Sequence, residues 1–194
     1  NLGWIRYNWT GNKDNLTLLS EKTAIEEARR YMVAGGGTLV DATTIGIARD
    51  PLALARISRA TGLNVVMGAG YYVGASHPDY VDDRTDGDLA QQMIDEITTG
   101  VGETQVKAGI IGEIGCTWPL TENERKVLHG AAQAQQETGA AILIHPGRDQ
   151  EAPRQILDIL AEAGADVSRV VMGHLDRTMH DFDKVLDLAD SGCY

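Results

Sequence analysis

The sequence predicts an α/β fold in which parallel strands alternate with helices, and three observations carry that expectation. Short β-branched or apolar runs recur along the chain, each followed by a polar loop and an amphipathic helical pattern. Helical patterns close on glycine at Gly35, Gly62, Gly100, Gly139 and Gly164. The strand runs are continuously apolar instead of alternating, the pattern of strands covered on both faces of a parallel sheet. Both a doubly wound sheet and a (β/α)8 barrel satisfy these observations, and the residues alone leave the choice open.

The elements follow in order. A first helix is expected over about Leu19 to Ala34, and Thr38-Leu39-Val40-Asp41-Ala42-Thr43 then reads as a buried strand. Asp50-Pro51 supplies a cap and a first-turn proline for a helix carrying Leu52, Leu54, Ala55 and Ile57. Asn64 to Met67 reads as the second strand, and Leu89, Met93, Ile94 and Ile97 mark one face of the next helix. Ala108 to Glu113 reads as the third strand, and Thr121-Glu122-Asn123-Glu124 has capping-box spacing for a helix running to Gly139. Ala141 to Ile144 ends on His145, a helix covers about Pro153 to Ala163, and Val170 to Gly173 ends on His174. A last helix is expected over about Phe182 to Ala189, and Gly192-Cys193-Tyr194 stands where a further strand would begin.

Composition narrows the function classes. Of 194 residues, 43% are hydrophobic and 23% charged, and no linker or low-complexity stretch divides residues 1–194, so a single domain is expected. Seventeen Lys+Arg against 28 Asp+Glu give a net charge of −11, which argues against nucleic acid and anionic membrane as partners. Cys116 and Cys193 have neither the number nor the spacing of a disulfide framework or a zinc ribbon. No apolar run approaches the roughly 18 residues of a membrane span, so the chain reads as cytoplasmic. The sequons at Asn8 and Asn15 have no weight in such a protein.

In either architecture ligands gather at the carboxyl ends of the parallel strands. The residues there are Asp41, Thr43 and Thr44, then Tyr71 and Tyr72, then Glu113, then His145, then His174 with Asp176. Three successive strands thus end on Glu, His and His, and two imidazoles with a carboxylate suit a divalent transition metal such as zinc. Each residue taken singly reads more simply as a loop hydrogen-bonder or ion-pair partner. His129 falls inside a helix and reads as surface, while His77 and His180 lie in loops. Arg148 and Arg177, close after the two strand-end histidines, are candidates for binding an anionic substrate group. No GxGxxG opens a helix and no GxSxG elbow is present, so nucleotide binding and covalent catalysis, including through Cys116, are disfavoured.

The runs Gly109-Ile110-Ile111-Gly112-Glu113-Ile114-Gly115-Cys116-Thr117-Trp118-Pro119-Leu120-Thr121, Ile144-His145-Pro146-Gly147-Arg148 and Gly173-His174-Leu175-Asp176-Arg177-Thr178 resemble the phosphotriesterase-related proteins of the amidohydrolase superfamily. Asn1-Leu2-Gly3-Trp4-Ile5 and Gly68-Ala69-Gly70-Tyr71-Tyr72-Val73 extend the resemblance over essentially the whole chain. The resemblance implies a partial (β/α)8 TIM barrel of about five β/α units, with two divalent metals, zinc by expectation, in each complete barrel. By motif, Glu113 would be the carboxylate bridging those metals, His145 and His174 the ligands of the second, and Tyr72 a partner of the bridging hydroxide.

The implied reaction is metal-assisted hydrolysis of an amide or ester, with N-acyl amino compounds such as N-acetyltaurine as the substrate class and Arg148 and Arg177 as its binding residues. Lactone or phosphotriester hydrolysis is the alternative, as is a binding role without catalysis. The family's first metal uses a His-x-His pair and an Asp that do not occur by motif in these residues, so the chain is expected to be an internal fragment of the barrel. The expected partner is a small-molecule substrate, and assembly as a homodimer stays open.

Overall fold

The computed structural model describes residues 20–194. The start expected at Leu19, the sequons and the Asn1–Ile5 motif lie outside the described residues. Helix α1 is Glu21–Val33, entered through Ser20, whose side chain accepts from Thr23 N at 3.2 Å. Strand β1 (Thr38–Asp41) leads to α2 (Pro51–Thr61), capped by Asp50 and closed by Gly62 at φ +78°, as Asp50-Pro51 and the glycine predicted. Then come β2 (Asn64–Ala69) and α3 (Asp86–Thr98), β3 (Ile110–Gly115) and α4 (Glu122–Thr138), and β4 (Ile142–His145) with α5 (Ala152–Glu162). Strand β5 (Val170–Met172) is followed by the four-residue α6 (Leu175–Thr178) and by α7 (Phe182–Asp190).

All four strand pairings are parallel, and the sheet order is β1-β2-β3-β4-β5. That order decides between the two architectures. A doubly wound sheet reverses its strand order at a switch point so that helices cover both faces. A strictly sequential order with right-handed crossovers puts the helices on one face and curls the sheet. The chain is therefore an open, curled parallel sheet flanked by helices, a partial (β/α)8 barrel. Tyr194 N donates to Val170 O at 2.9 Å and Met172 N donates to Tyr194 O at 2.6 Å, the bond pattern of a residue joining β5 in parallel register.

The core lies between sheet and helices. Ile111, Ile114, Ile142 and Ile144 from the strands meet Leu128, Ile156, Leu160, Leu89 and Met93 from the helices, all fully buried. Shortening one of these leaves a cavity: Leu128→Ala is expected to lower the unfolding free energy by about 2–5 kcal/mol, read as a lower urea midpoint with unchanged slope.

Strand β3 is irregular at the point that matters for chemistry. Ile111 pairs with Ile142 and Ile114 with Ile144, so three steps on β3 oppose two on β4. The surplus residue is a bulge at Gly112–Glu113, a device that re-aims a side chain beside a site. Gly112 has φ +128°, and a Cβ there would collide with the Leu143 carbonyl, so only glycine permits it. The third strand therefore runs to Gly115, two residues past the end read from the sequence, and Glu113 leaves the sheet from inside the strand.

Candidate metal centre

Three consecutive strands deliver the central residues. Glu113 leaves the bulge of β3, His145 is the last residue of β4, and His174 follows β5 as the cap of α6. His174 has φ +57° and ψ +28°, a left-handed backbone that costs a side-chain-bearing residue of order 1 kcal/mol and turns the ring toward Glu113. One ligand atom from each of Glu113, His145 and His174 lies within 4.8 Å of the others, a span one small cation can draw together.

The hydrogen bonds fix how these groups meet. Glu113 Oε1 faces His174 Nε2 at 2.9 Å and Glu113 Oε2 faces His145 Nδ1 at 3.0 Å. A carboxylate only accepts, so both rings offer N–H to it. Arg177 Nη2 lies 3.0 Å from His145 Nε2 and, as a guanidinium, donates to it, which assigns the remaining ring proton of His145 to Nδ1. The Tyr72 hydroxyl is 3.1 Å from His145 Nε2 and 3.2 Å from Nδ1, with the two rings edge to face at 4.9 Å. The His145 and His174 ring centroids are 4.4 Å apart.

Burial works to raise the Glu113 pKa, but its hydrogen bonds with, and electrostatic attraction to, His145 and His174 outweigh it and hold the carboxyl below its ordinary value of 4.5. A carboxylate held ionised between two imidazoles is the donor set of a divalent transition metal. In the metal-free chain, the part of its stabilisation that depends on ionisation is present above pH 4.5 and is lost as pH falls through the lowered native pKa.

The other strand-end residues divide cleanly. Asp41 Oδ1 accepts from Thr43 N at 3.0 Å and shapes its own turn. Thr44 is fully buried, with no hydrogen-bond partner found for its hydroxyl among the described residues. Tyr71 points into the core, where its hydroxyl meets Gln92 Oε1 at 2.7 Å, so of the two tyrosines only Tyr72 reaches the cluster. Cys116 is buried in the core. His129 is exposed on α4 as expected, and Asp176 is exposed on α6. His77 passes behind Tyr72 and donates from Nε2 to the Tyr72 carbonyl at 2.8 Å, while burial lowers its pKa and keeps it neutral.

Arg148 and Arg177 line one cleft of about 290 Å³ together with Lys184, His180, Gln150 and Thr178 and the acidic Asp149 and Glu151. Sequence reasoning placed the two arginines near the site but not the contact of Arg177 with His145. It also missed Glu124 as more than a helix cap. The Thr121–Glu124 spacing was visible, whereas the reach of that carboxylate to Gly74, 2.9 Å away across 50 positions of sequence, was not.

Residues 5–194 match the profile of the Phosphotriesterase family. The chain is 49% identical over 195 residues to the N-acetyltaurine hydrolase of Homo sapiens, covering 100% of this chain and 56% of that protein. It is 46% identical over 190 residues to the N-acetyltaurine hydrolase of Dictyostelium discoideum, covering 98% of this chain and 51% of that protein. The chain thus spans about half the length of these curated relatives. Among solved structures, a resiniferatoxin-binding protein from Rhodobacter sphaeroides superimposes with a TM-score of 0.92 at 36% identity, over 100% of this chain and 54% of that one. A sequential parallel sheet, a Glu-His-His cluster at its carboxyl rim and a family match over nearly every residue agree, and the chain belongs to the Phosphotriesterase family.

Proposed function

We propose that the protein carrying this chain is a zinc-dependent hydrolase that cleaves the amide bond of an N-acyl amino compound bearing an acidic group, N-acetyltaurine being the substrate to test first. The observation that carries this reading is the Glu113–His145–His174 cluster opening beside a cleft that holds two arginines. The similarity to N-acetyltaurine hydrolases supports the substrate class. In this reading residues 1–194 are one segment of a single barrel domain acting in the cytoplasm on a small molecule.

Glu113, His145 and His174 would hold the ion, one of two that a complete barrel would carry. A divalent ion so held supplies Lewis acidity toward a carbonyl oxygen and makes water acidic enough to serve as a nucleophile near neutral pH. The chain's own groups do the rest. Tyr72, with its hydroxyl 3.1 Å from His145 Nε2, presents an O–H beside the reacting centre. Arg177 reaches His145 with one nitrogen of its guanidinium, and Arg148 stands farther out on the exposed lip of the cleft. A sulfonate or carboxylate in that cleft would meet both cations, which fixes the acyl group's distance from the cluster.

The test is turnover of N-acetyltaurine, a lactone and an aryl phosphotriester by the full-length protein. The amide is expected to be hydrolysed fastest, and turnover of only the lactone or the phosphotriester would overturn the reading. Arg148→Ala is expected to raise KM for the anionic amide about ten-fold with kcat nearly unchanged, since it removes uniform binding. Arg177→Ala should lower kcat as well, because Arg177 also touches His145. Unchanged kinetics in both variants would remove the arginines from the site.

A further inference from the structure

Glu124 is a carboxylate with 0% exposure that the chemistry above does not use. It stands in the first turn of α4, where Thr121 N donates to Glu124 Oε2 at 3.0 Å and Glu124 N donates to Thr121 Oγ1 at 3.2 Å. Capping needs only one carboxylate oxygen. Here the other, Oε1, accepts from Gly74 N at 2.9 Å, and Oε2 also accepts from the Thr117 hydroxyl at 2.7 Å. Gly74 lies two residues beyond Tyr72 on the loop after β2, and Thr117 lies four beyond Glu113 on the loop after β3. One buried carboxylate therefore ties the rim loop that carries Tyr72 to the loop that leaves the Glu113 strand.

The Tyr72 backbone is held from its other sides too. Gly115 N donates to Tyr71 O at 3.1 Å, and a Cβ on Gly115 would land on the Val73 amide, so the Tyr72–Val73 backbone lies directly on the end of β3. His77 Nε2 takes the Tyr72 carbonyl at 2.8 Å. With its main chain held this way, the Tyr72 ring stands edge-on against His145.

We propose that Glu124 is a positioning residue that sets the Tyr72 hydroxyl against His145 by fixing the loop after β2 to the loop after β3. It touches neither substrate nor metal, and its effect on the reaction rests on the role given above to Tyr72. A glutamine at this position offers only one accepting oxygen, so Glu124→Gln leaves either the Gly74 or the Thr121 N–H unpaired.

The test places 3-fluorotyrosine at position 72 of the full-length, zinc-loaded protein and follows its fluorine NMR resonance. Glu124→Gln and Thr117→Val are expected to shift or broaden that resonance. Thr121→Ala removes the capping hydroxyl but keeps the Glu124–Gly74 bond, so it should lower Tm and leave the resonance in place. Zinc affinity, read by competition with a chromophoric chelator, should stay within about three-fold in all variants, while kcat falls about ten-fold in Glu124→Gln with KM little changed.

An unmoved resonance in Glu124→Gln, or an equal shift in Thr121→Ala, would make Glu124 a helix cap and nothing more. A zinc affinity that collapses with the shift would equally overturn selective action on Tyr72. If Glu124→Gln does not fold, Thr117→Val, which keeps side-chain shape and loses one bond to the carboxylate, makes the same comparison. Failure of the Tyr72 reading has a separate signature: Tyr72→Phe with unchanged kcat would remove that hydroxyl from the reaction and leave the resonance experiment intact.

Discussion

Glu113→Ala is expected to abolish stoichiometric metal binding, with affinity falling at least about 100-fold, more than the loss of a residue that merely supports a ligand. The reason is geometric. Glu113 is the member that both imidazoles face, at 2.9 and 3.0 Å, so its removal leaves His174 and His145 with no shared negative charge to offset a divalent ion. His145→Ala and His174→Ala each remove one neutral donor and should weaken binding less than the carboxylate does. Elemental analysis after purification without chelator measures this directly, on the single variants and on the triple one. Loss of the ion held by this cluster in the triple variant is the expected result. An ion retained in Glu113→Ala would place the metal elsewhere.

Acid should act on the same cluster. Glu113 is held ionised to a pH below its ordinary 4.5, so protons compete with a metal for it only below that value. Protonation of Glu113 is therefore expected to release metal only as pH falls below 4.5, read by elemental analysis after dialysis across a pH series.

The second large effect concerns stability. Arg49 and Glu96 form a two-pronged ion pair at 2.7 and 2.8 Å, with side chains only 5% and 8% exposed. Arg49 Nη1 also donates to the Gly68 carbonyl at 2.7 Å, so the loop after β1 is joined to β2 and α3 at one point. Glu96→Ala leaves the guanidinium buried without its counter-charge and should cost about 3–5 kcal/mol. For a chain of this length that lowers Tm by roughly 10 °C. Replacing both partners by apolar residues of similar size should recover most of the loss, because the penalty belongs to the unpaired charge and not to the missing pair. Thermal and urea unfolding of the three proteins would decide, and a cost under about 1 kcal/mol for Glu96→Ala would show that water reaches the guanidinium.

Helix boundaries were legible in the sequence because their chemistry is local. Asp50 accepts from Ala53 N, and Thr121 exchanges bonds with Glu124, each over three residues, so spacing alone identifies them. The box at Thr85 and Asp88, which starts α3, was passed over because Asp takes the place usually held by Glu or Gln. The four-residue α6 gave no periodic signal because it is too short to show one.

The site was half legible. That Glu113, His145 and His174 gather at one rim follows from parallel βα alternation, since every crossover returns the chain to the same rim. Sequence by itself thus determined the alternation, the helix starts and stops, the rim residues and the family resemblance. Tertiary structure decided the rest. The sequential strand order excluded the doubly wound sheet, and the bulge at Gly112–Glu113 turned the carboxylate toward the histidines. Tyr71 was sent to the core and Tyr72 to the cluster, Arg177 was set on His145, and Glu124 was joined to a loop 50 residues away. Such contacts link residues far apart in the chain, and their partners are fixed only once the crossovers have placed the strands side by side.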